Sequence, residues 1–341
     1  MVRVLLVRHG MTKGNLRSAR AAIQVAKGNI TPDQIVEYEN QQREGEGLHE
    51  WSGDTQLSDV GKEEADLLGR FLGRLLEQAA KQNSLHVYVS PMQRCLETAD
   101  PLMTRLNYRA TVYPLIFESP GLCHKYDREF FSESIEPLVL SKDMESAKRL
   151  FNKHRFHDAG LSENDINTRF PWVAKCVMFP EDPNKPWHSE SNGFRGWETP
   201  KSTLKRANRA VHFLKQQAKV LPKNDTILFV SHGDFLGELI NSLFGLNDVS
   251  HSLNNTSISS FKILPNSEVI FEFVNRISHL KKSRQFALYE SMGFKERRDK
   301  NGKKYVDIGE LMRSRRGAGS FADSPYGLLL AFLDHSKFSK L

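Results

Sequence analysis

The chain of 341 residues is poor in cysteine and has no long hydrophobic run. Its three cysteines lie far apart at Cys95, Cys123 and Cys176 and form no C-x-x-C pair, which argues against a structural zinc site. Their odd number argues against a disulfide framework. No apolar run reaches the ~18 residues of a membrane helix, and the apolar start at 2–7 is too short for a signal peptide. We therefore expect a cytoplasmic protein without a membrane span.

Excess charge of one sign is missing from most of the chain. Residues 280–341 contain 14 Lys/Arg and 7 Asp/Glu, so they carry the whole net charge of +7, and residues 1–279 are formally neutral. The overall charge is therefore not that of a nucleic-acid-binding protein throughout. We expect one main domain over 1–279 and a basic C-terminal extension over 280–341. The extension either contacts nucleic acid, acidic lipid or an acidic partner, or is a solvated run of charge. Asn301-Gly302 predicts a hairpin within it.

Short apolar segments that stop abruptly at polar residues predict the fold. They are 2–7, 85–89 and 226–230, followed by Arg8-His9-Gly10, Ser90-Pro91 and Ser231-His232-Gly233. Such near-continuous apolar runs are typical of strands that are buried on both faces. Helical periodicity follows Ser90 and His232 directly, and it recurs in 58–80 and near 202–218. Ser90 and Ser58 are the expected caps of their helices, with Pro91 at the first helical position after Ser90. This alternation predicts a three-layer α/β/α fold with a mostly parallel central sheet.

The carboxyl ends of these strands carry arginine and histidine. Ligands of parallel sheets bind beyond the carboxyl ends of the strands. Arg8, His9, Arg94 and His232 all lie at or just past such ends, so we expect them to meet in one crevice. Because the charges there are mainly positive, the expected ligand is an anion. Helix amino termini after Ser90 and His232 are expected to add positive potential.

Two histidines and two arginines in one crevice suit phosphoryl transfer. A neutral imidazole can attack phosphorus and form a covalent intermediate, and histidine is readily neutral near pH 7. Arginines bind phosphate oxygens in bidentate fashion and stay charged. Since these groups can neutralise the phosphoryl oxygens, the sequence predicts neither a metal nor a cofactor.

Five sequence blocks in a fixed order carry these residues. They are Arg8-His9-Gly10-Met11-Thr12-Lys13-Gly14-Asn15, Asp54-x-x-Leu57-Ser58-x-x-Gly61-x-x-x-Ala65, Ser90-Pro91-Met92-Gln93-Arg94-x-x-x-Thr98-Ala99, Ser231-His232-Gly233, and Asn254-Asn255 with Ser257. The first matches the pattern R-H-G-x-T-x-x-N. Together the blocks resemble the histidine phosphatase superfamily, in its phosphoglycerate mutase-like branch.

The resemblance implies a role for each matched residue. It implies His9 as the phosphorylated nucleophile and Glu118 as the proton donor to the leaving oxygen. It implies a phosphate cradle made of Arg8, Arg94, His232 and Asn15. The implied activity is that of a metal-independent phosphatase with its catalytic domain in 1–279. The implied substrate is a phosphorylated small molecule or a phosphoprotein.

Two insertions interrupt the matched blocks, at about 16–50 and 119–200. In the first, the polar stretch 41–47 is predicted to be a loop. The second begins beside Glu118, so we expect it to form a cap over the crevice. Its candidates for packing are Trp172, Trp187 and Trp197, and its candidates for substrate contact are His154, Arg155, His157, His188 and Arg195. The H-x-x-H spacing of the first two histidines is by itself a weak metal signal.

Three functions remain open at this point. They are a phosphomonoester phosphatase, a mutase that returns the phosphoryl group to its product, and a catalytically inactive binding scaffold. Family mutases resemble one another in a basic and aromatic segment directly after the catalytic Glu. Here Glu118 is followed by Ser119-Pro120-Gly121-Leu122, which favours hydrolysis. The sequence determines neither the substrate nor the oligomeric state.

Overall fold

The computed structural model describes most of the chain up to residue 280 and two short strands beyond it. The described residues are 1–45, 54–119, 121–122, 130–154, 157–189, 198–246, 249, 251, 253–280, 296–298 and 304–306. Arg155, Arg195, Trp197 and most of the predicted extension 280–341 lie outside them.

A seven-stranded sheet forms the centre of the fold. The strands of the described chain are β1 (Val2–Arg8), β2 (Leu85–Val89), β3 (Ala110–Val112), β4 (Ala159–Ser162), β5 (Val173–Cys176), β6 (Pro186–His188), β7 (Thr226–Ser231), β8 (Ile258–Ile263), β9 (Val269–Arg276), β10 (Glu296–Arg298) and β11 (Lys304–Val306). The central order is β5-β3-β2-β7-β1-β8-β9. The first five strands in this order are parallel. At one edge β8 pairs antiparallel with β1, and β9 pairs antiparallel with β8. The mostly parallel sheet predicted from the sequence is confirmed.

Helices cover both faces of this sheet. They are α1 (Lys13–Ala26), α2 (Ile35–Gly45), α3 (Asp59–Lys81), α4 (Gln93–Leu106), α5 (Glu136–Leu140), α6 (Met144–Lys153), α7 (Glu163–Arg169), α8 (Pro200–Val220) and α9 (Gly233–Phe244). Ser58 caps α3 as its sequence indicates, because its Oγ accepts a hydrogen bond from the Gly61 amide at 3.1 Å. No helix among the described residues combines the length and apolar character needed to cross a membrane.

Side chains of β1 alternate between two separate cores. Leu5 and Val7 pack with α3 and α4, whereas Val4 and Leu6 pack with α8 and α9. Successive side chains of a strand point to opposite faces, so a strand that is apolar at every position must be covered on both. The three-layer α/β/α arrangement follows from this pattern.

The segment 16–50, predicted to be an insertion with a loop at 41–47, is largely helical where it is described. Thr12 begins α1 through a capping box with Asn15, in which each side chain accepts a hydrogen bond from the backbone of the other. Residues 41–45 belong to α2, so the loop prediction is wrong for them, and 46–47 lie outside the described residues. Gln, Arg and Glu favour helix strongly enough to outweigh one glycine near its end.

Part of the segment 119–200 joins the body of the fold. Its strand β5 extends the edge of the central sheet, and Trp172 packs in the core while its Nε1 donates to Asp100 Oδ1 at 2.7 Å. Trp187 packs instead against Phe117, beside Glu118, with ring centroids 5.5 Å apart. The described insertion therefore has one part in the sheet and another beside the crevice.

The hairpin predicted at Asn301-Gly302 is confirmed in its two strands. β10 and β11 pair antiparallel, with Arg298 opposite Lys304. The turn residues between them lie outside the described residues.

Candidate active site

Three adjacent strands end on one side of the molecule and bring the predicted residues together. β2, β7 and β1 are parallel neighbours, with Val89 beside Val230 and Arg8 beside Ser231. The polar residues after these strands therefore share one cavity of about 390 Å³. Five of the predicted site residues line it, namely Arg8, His9, Asn15, Arg94 and Glu118.

His9 is held as a neutral imidazole with one free ring nitrogen. Its Nδ1 lies 2.7 Å from the carbonyl oxygen of Gly10. A carbonyl only accepts, so Nδ1 carries the proton and Nε2 keeps its lone pair. Burial, followed by the charges of Arg94 and Arg8, holds the pKa of His9 well below 6.5. The ring is therefore an available nucleophile at neutral pH.

The loop after His9 is fixed by close approach to α3. A Cβ on Gly61 would stand 2.0 Å from the Met11 carbonyl oxygen, and a Cβ on Gly10 would stand 2.8 Å from the Gly61 carbonyl oxygen. Only glycine at both positions lets the two segments come this close. The buried Glu64 accepts from the Met11 amide at 2.8 Å. These contacts explain why glycines follow His9 and stand near the start of α3.

Two guanidinium groups supply the positive charge of the cavity. Arg8 donates from Nη1 to the Leu253 carbonyl oxygen, and its buried Nε has no hydrogen-bond partner. Arg94 lies almost buried, with Nη1 3.6 Å from a carboxylate oxygen of Asp54. A buried N–H donor without a partner is costly, and an anionic oxygen would satisfy it.

His232 is fully buried behind Arg94 rather than in the lining of the cavity. Arg94 Nε donates to its Nδ1 at 3.2 Å, so Nε2 carries the proton and donates to Ser90 Oγ at 2.8 Å. In this arrangement both ring nitrogens of His232 are engaged, and it orients Arg94. Burial, followed by the charge of Arg94, holds its pKa well below 6.5.

The helix expected to begin at Ser90-Pro91 begins later, so that prediction is wrong. α4 begins at Gln93 with Met92 at its N-cap. The hydroxyl of Ser90, predicted to be the cap, instead accepts from the imidazole of His232. Pairing with a buried imidazole takes precedence over capping because an unpaired buried N–H would cost more than an uncapped helix end.

Glu118 lies at the opposite wall of the cavity, and its carboxyl group is an unusually weak acid. Its Oε1 accepts from the amides of Phe235 and Ser119, each at 3.1 Å. Burial, with the charge of Asp234, raises the pKa of Glu118 to about 7 against the lowering effect of Arg94. A carboxyl group with this pKa exchanges protons readily at neutral pH.

The side chains of His9, Glu118 and His232 are close enough to one another to bind a metal ion. Donor atoms of His9, Glu118 and His232 all lie within 4.8 Å of one another. The guanidinium groups of Arg8 and Arg94 lie at this place as well, and their charge repels a cation and attracts an anion. The electrostatics of the described residues therefore favour an anionic ligand.

Eight further residues line the cavity. Thr12, Gly14 and Gly233 belong to the sequence blocks, whereas Arg17, Thr55, Asp234, His251 and Leu253 were not singled out from the sequence. Arg17 brings a third guanidinium, two residues after Asn15 on α1. Nothing in a polar helical stretch marks one arginine as facing a ligand, so no local signal could have found it.

Asn255 reaches the site from the fifth sequence block. Its Nδ2 donates to the His9 carbonyl oxygen at 3.0 Å and to Asn15 Oδ1 at 3.4 Å. This block therefore holds the backbone of His9 and the side-chain amide of Asn15, which lines the cavity.

The histidines of the insertion do not line the cavity. His154 stacks on Phe130 at 3.9 Å between centroids, and His157 lies 6.4 Å from His154. His188 is buried against the edge of Phe117 at 6.1 Å. The structure therefore places all three in packing contacts, and Arg155 and Arg195 lie outside the described residues.

Comparison with known proteins agrees with the sequence blocks. The model of the histidine phosphatase superfamily, branch 1, matches residues 39–123. No curated protein matches the chain. The matched residues include the second and third sequence blocks and Glu118, so this comparison agrees with the family that the five blocks resemble.

Two solved structures illustrate the likeness. A phosphoserine phosphatase from Entamoeba histolytica, in complex with 3-phosphoglyceric acid, is 17% identical over 82% of this chain and 100% of its own, with a TM-score of 0.41. A mycobacterial glucosyl-3-phosphoglycerate phosphatase is 17% identical over 81% of this chain and 100% of its own, with a TM-score of 0.42. Likenesses at this level do not identify a substrate.

Proposed function

We propose that this protein is a phosphomonoester hydrolase that works through a phosphohistidine at His9. The observation that carries the proposal is the pairing of two groups in one cavity. His9 is neutral with a free Nε2, and Glu118 has a pKa of about 7. A nucleophile and an exchangeable proton are the two groups that cleavage of a phosphate ester requires.

In the first step, Nε2 of His9 forms a bond to phosphorus. The bond from phosphorus to the ester oxygen breaks, its electron pair stays on that oxygen, and the proton of Glu118 moves there. Arg8 and Arg94 bind the phosphoryl oxygens and stabilise their charge during the transfer.

In the second step, water attacks the phosphohistidine. The carboxylate of Glu118 takes the proton from water, the bond from phosphorus to nitrogen breaks, and its electron pair returns to Nε2. Inorganic phosphate leaves, and both side chains recover their starting protonation.

The proposal includes independence from metals. The guanidinium groups supply the charge that a metal ion would otherwise provide. Hydrolysis of p-nitrophenyl phosphate should therefore survive EDTA. Complete loss, restored by one divalent ion, would show that the donor trio His9, Glu118 and His232 binds a metal in the active protein.

A mutase is the alternative within the same chemistry. The residues after Glu118 lack the basic segment that follows the catalytic Glu in family mutases, which supports hydrolysis. A phosphomonoester with a labelled phosphoryl group distinguishes the two after an early quench. We expect the label in free phosphate, and label on a second oxygen of the same carbon skeleton would make the protein a mutase.

A further inference from the structure

A buried arginine outside the cavity contacts both sides of the Glu118 segment. Arg206, on α8, is 6% exposed and forms a two-pronged ion pair with Glu198. Its Nη2 lies 2.6 Å from Glu198 Oε2, and its Nε lies 2.9 Å from Glu198 Oε1. Geometry of this kind fixes the plane of the guanidinium.

The remaining edge of this guanidinium binds the backbone that leads into Glu118. Nη1 donates to the carbonyl oxygens of Leu115 at 3.0 Å and Phe117 at 2.8 Å. The two carbonyls belong to the turn directly before Glu118. The position of that turn is thus fixed by a side chain 89 residues away from Phe117.

The faces of the guanidinium lie against two aromatic rings. Its central carbon is 3.6 Å from the ring centroid of Phe117 and 4.3 Å from that of Phe235. Phe117 precedes Glu118, and the amide of Phe235 donates to the Glu118 carboxylate. One side chain therefore sets the distance between the residue that carries the carboxyl group and the amide that orients it.

The residue after Glu118 is bound to the same cluster. Ser119 Oγ lies 2.7 Å from Thr203 Oγ1, which donates to Glu198 Oε2 at 3.0 Å. Glu198, Thr203 and Arg206, here named the α8 cluster, thus hold the backbone before Glu118 and the side chain after it. The insertion 119–200 starts and ends at this cluster.

We propose that Arg206 and Glu198 are positioning residues that hold the Glu118 carboxyl in place for proton transfer. This inference rests on the proposed function. It states that the α8 cluster contributes to protonation of the leaving oxygen, beyond stabilising the fold. Arg206 does not line the substrate cavity, and its hydrogen bonds and ring contacts reach the site through the segment that carries Glu118 and through Phe235.

Leaving groups of different basicity distinguish positioning from stability. p-Nitrophenolate leaves without needing a proton, whereas an alkoxide must be protonated as it departs. A variant that misplaces Glu118 loses activity on an alkyl phosphate and retains it on p-nitrophenyl phosphate. A variant that only unfolds part of the protein loses both equally.

The test compares Arg206→Lys with Arg3→Lys, using glycerol 2-phosphate and p-nitrophenyl phosphate. Arg3 also pairs with a glutamate, Glu272, at 3.2 Å, in a more exposed place at the opposite end of β1. For Arg206→Lys we expect kcat/KM to fall by about 10²-fold on the alkyl ester and less than about threefold on the aryl ester. For Arg3→Lys we expect the ratio of the two values to equal that of wild type.

Thr203→Val provides a second, milder variant in case Arg206→Lys does not fold. It keeps the volume of the side chain and removes its hydrogen bonds to Ser119 and Glu198, so the same selective loss should appear at about fivefold. Equal loss on both esters in the folded variants would overturn the positioning role while the His9 chemistry stands. Wild-type protein that hydrolyses neither ester would instead overturn the proposed function.

Discussion

The two walls of the active site are built in different ways. On one wall, His9 follows a central strand, and its amide donates to the Ser231 carbonyl oxygen at 2.9 Å. On the other wall, Glu118 follows a short turn and is placed by side chains of α8 and by the start of α9. The sheet determines the first wall, whereas contacts between distant segments determine the second. The nucleophile is thus fixed by the core, and the acid–base group depends on what packs around it.

Loss of the nucleophile gives the largest expected effect. His9→Ala should lower turnover by at least about 10⁴-fold, because it removes the attacking nitrogen, and His251, another imidazole in the cavity lining, has its Nε2 paired with Asn241 Oδ1 at 2.8 Å. His212→Ala, at an exposed position of α8, is the matched control and should behave as wild type. The measurement is hydrolysis of p-nitrophenyl phosphate by protein with an unchanged circular dichroism spectrum. Substantial activity in folded His9→Ala would show that the wall carrying His9 does not supply the nucleophile.

Loss of the acid–base group should depend on the substrate. Glu118→Gln keeps the shape of the side chain and removes its transferable proton. We expect a loss of about 10²- to 10⁴-fold on glycerol 2-phosphate and a smaller loss on p-nitrophenyl phosphate. Steady-state kinetics with both esters provide the measurement. Identical losses of kcat/KM on the two esters would mean that Glu118 does not protonate the leaving oxygen.

These two walls also differ in how far the sequence predicts them. Arg8, His9 and His232 follow apolar runs that must be central strands, so their meeting could be deduced from strand order alone. Their individual contacts could not, since the pairing of Ser90 with His232 overrides the helix cap that the local sequence favours. Glu118 was found through the family resemblance, and Arg206 was not found. Its partners at positions 115, 117 and 198 come together only in the folded chain.

The pH dependence of kcat/KM should reflect the ionisation of Glu118, on the second wall, more than that of His9, on the first. The raised pKa of Glu118, about 7, means that its carboxyl is protonated below pH 7 and loses that proton above it. In kcat/KM for an alkyl phosphate, the acid is needed, so activity should fall as pH rises through about 7. His9 has its pKa lowered well below 6.5, so its protonation should cause no loss between pH 6 and 7.

The ratio of kcat/KM for the alkyl ester to kcat/KM for the aryl ester isolates the titration of Glu118. Well above pH 6 both esters are dianions, so their own ionisation no longer changes the ratio. We expect the alkyl-to-aryl ratio of kcat/KM to fall severalfold between about pH 7 and pH 9, and to stay flat in Glu118→Gln. A fall that persists in Glu118→Gln would assign the titration to another group.

The smallest effect is expected from the basic extension, since no matched block lies beyond residue 280. Leu280 itself is 1% exposed, and the adjacent His279 stacks on Phe71 of α3 at 5.8 Å between centroids. A chain ending at 280 keeps these contacts, so removal of 281–341 should change hydrolysis of p-nitrophenyl phosphate by less than about twofold.

A chain ending at 277 loses Leu280, whose burial stabilises by about 1.5–3 kcal/mol, and should melt at a lower temperature. Both shortened proteins retain the two walls, so activity per folded molecule should be equal. A soluble, monodisperse 1–280 protein without activity would show that the extension contributes to the site.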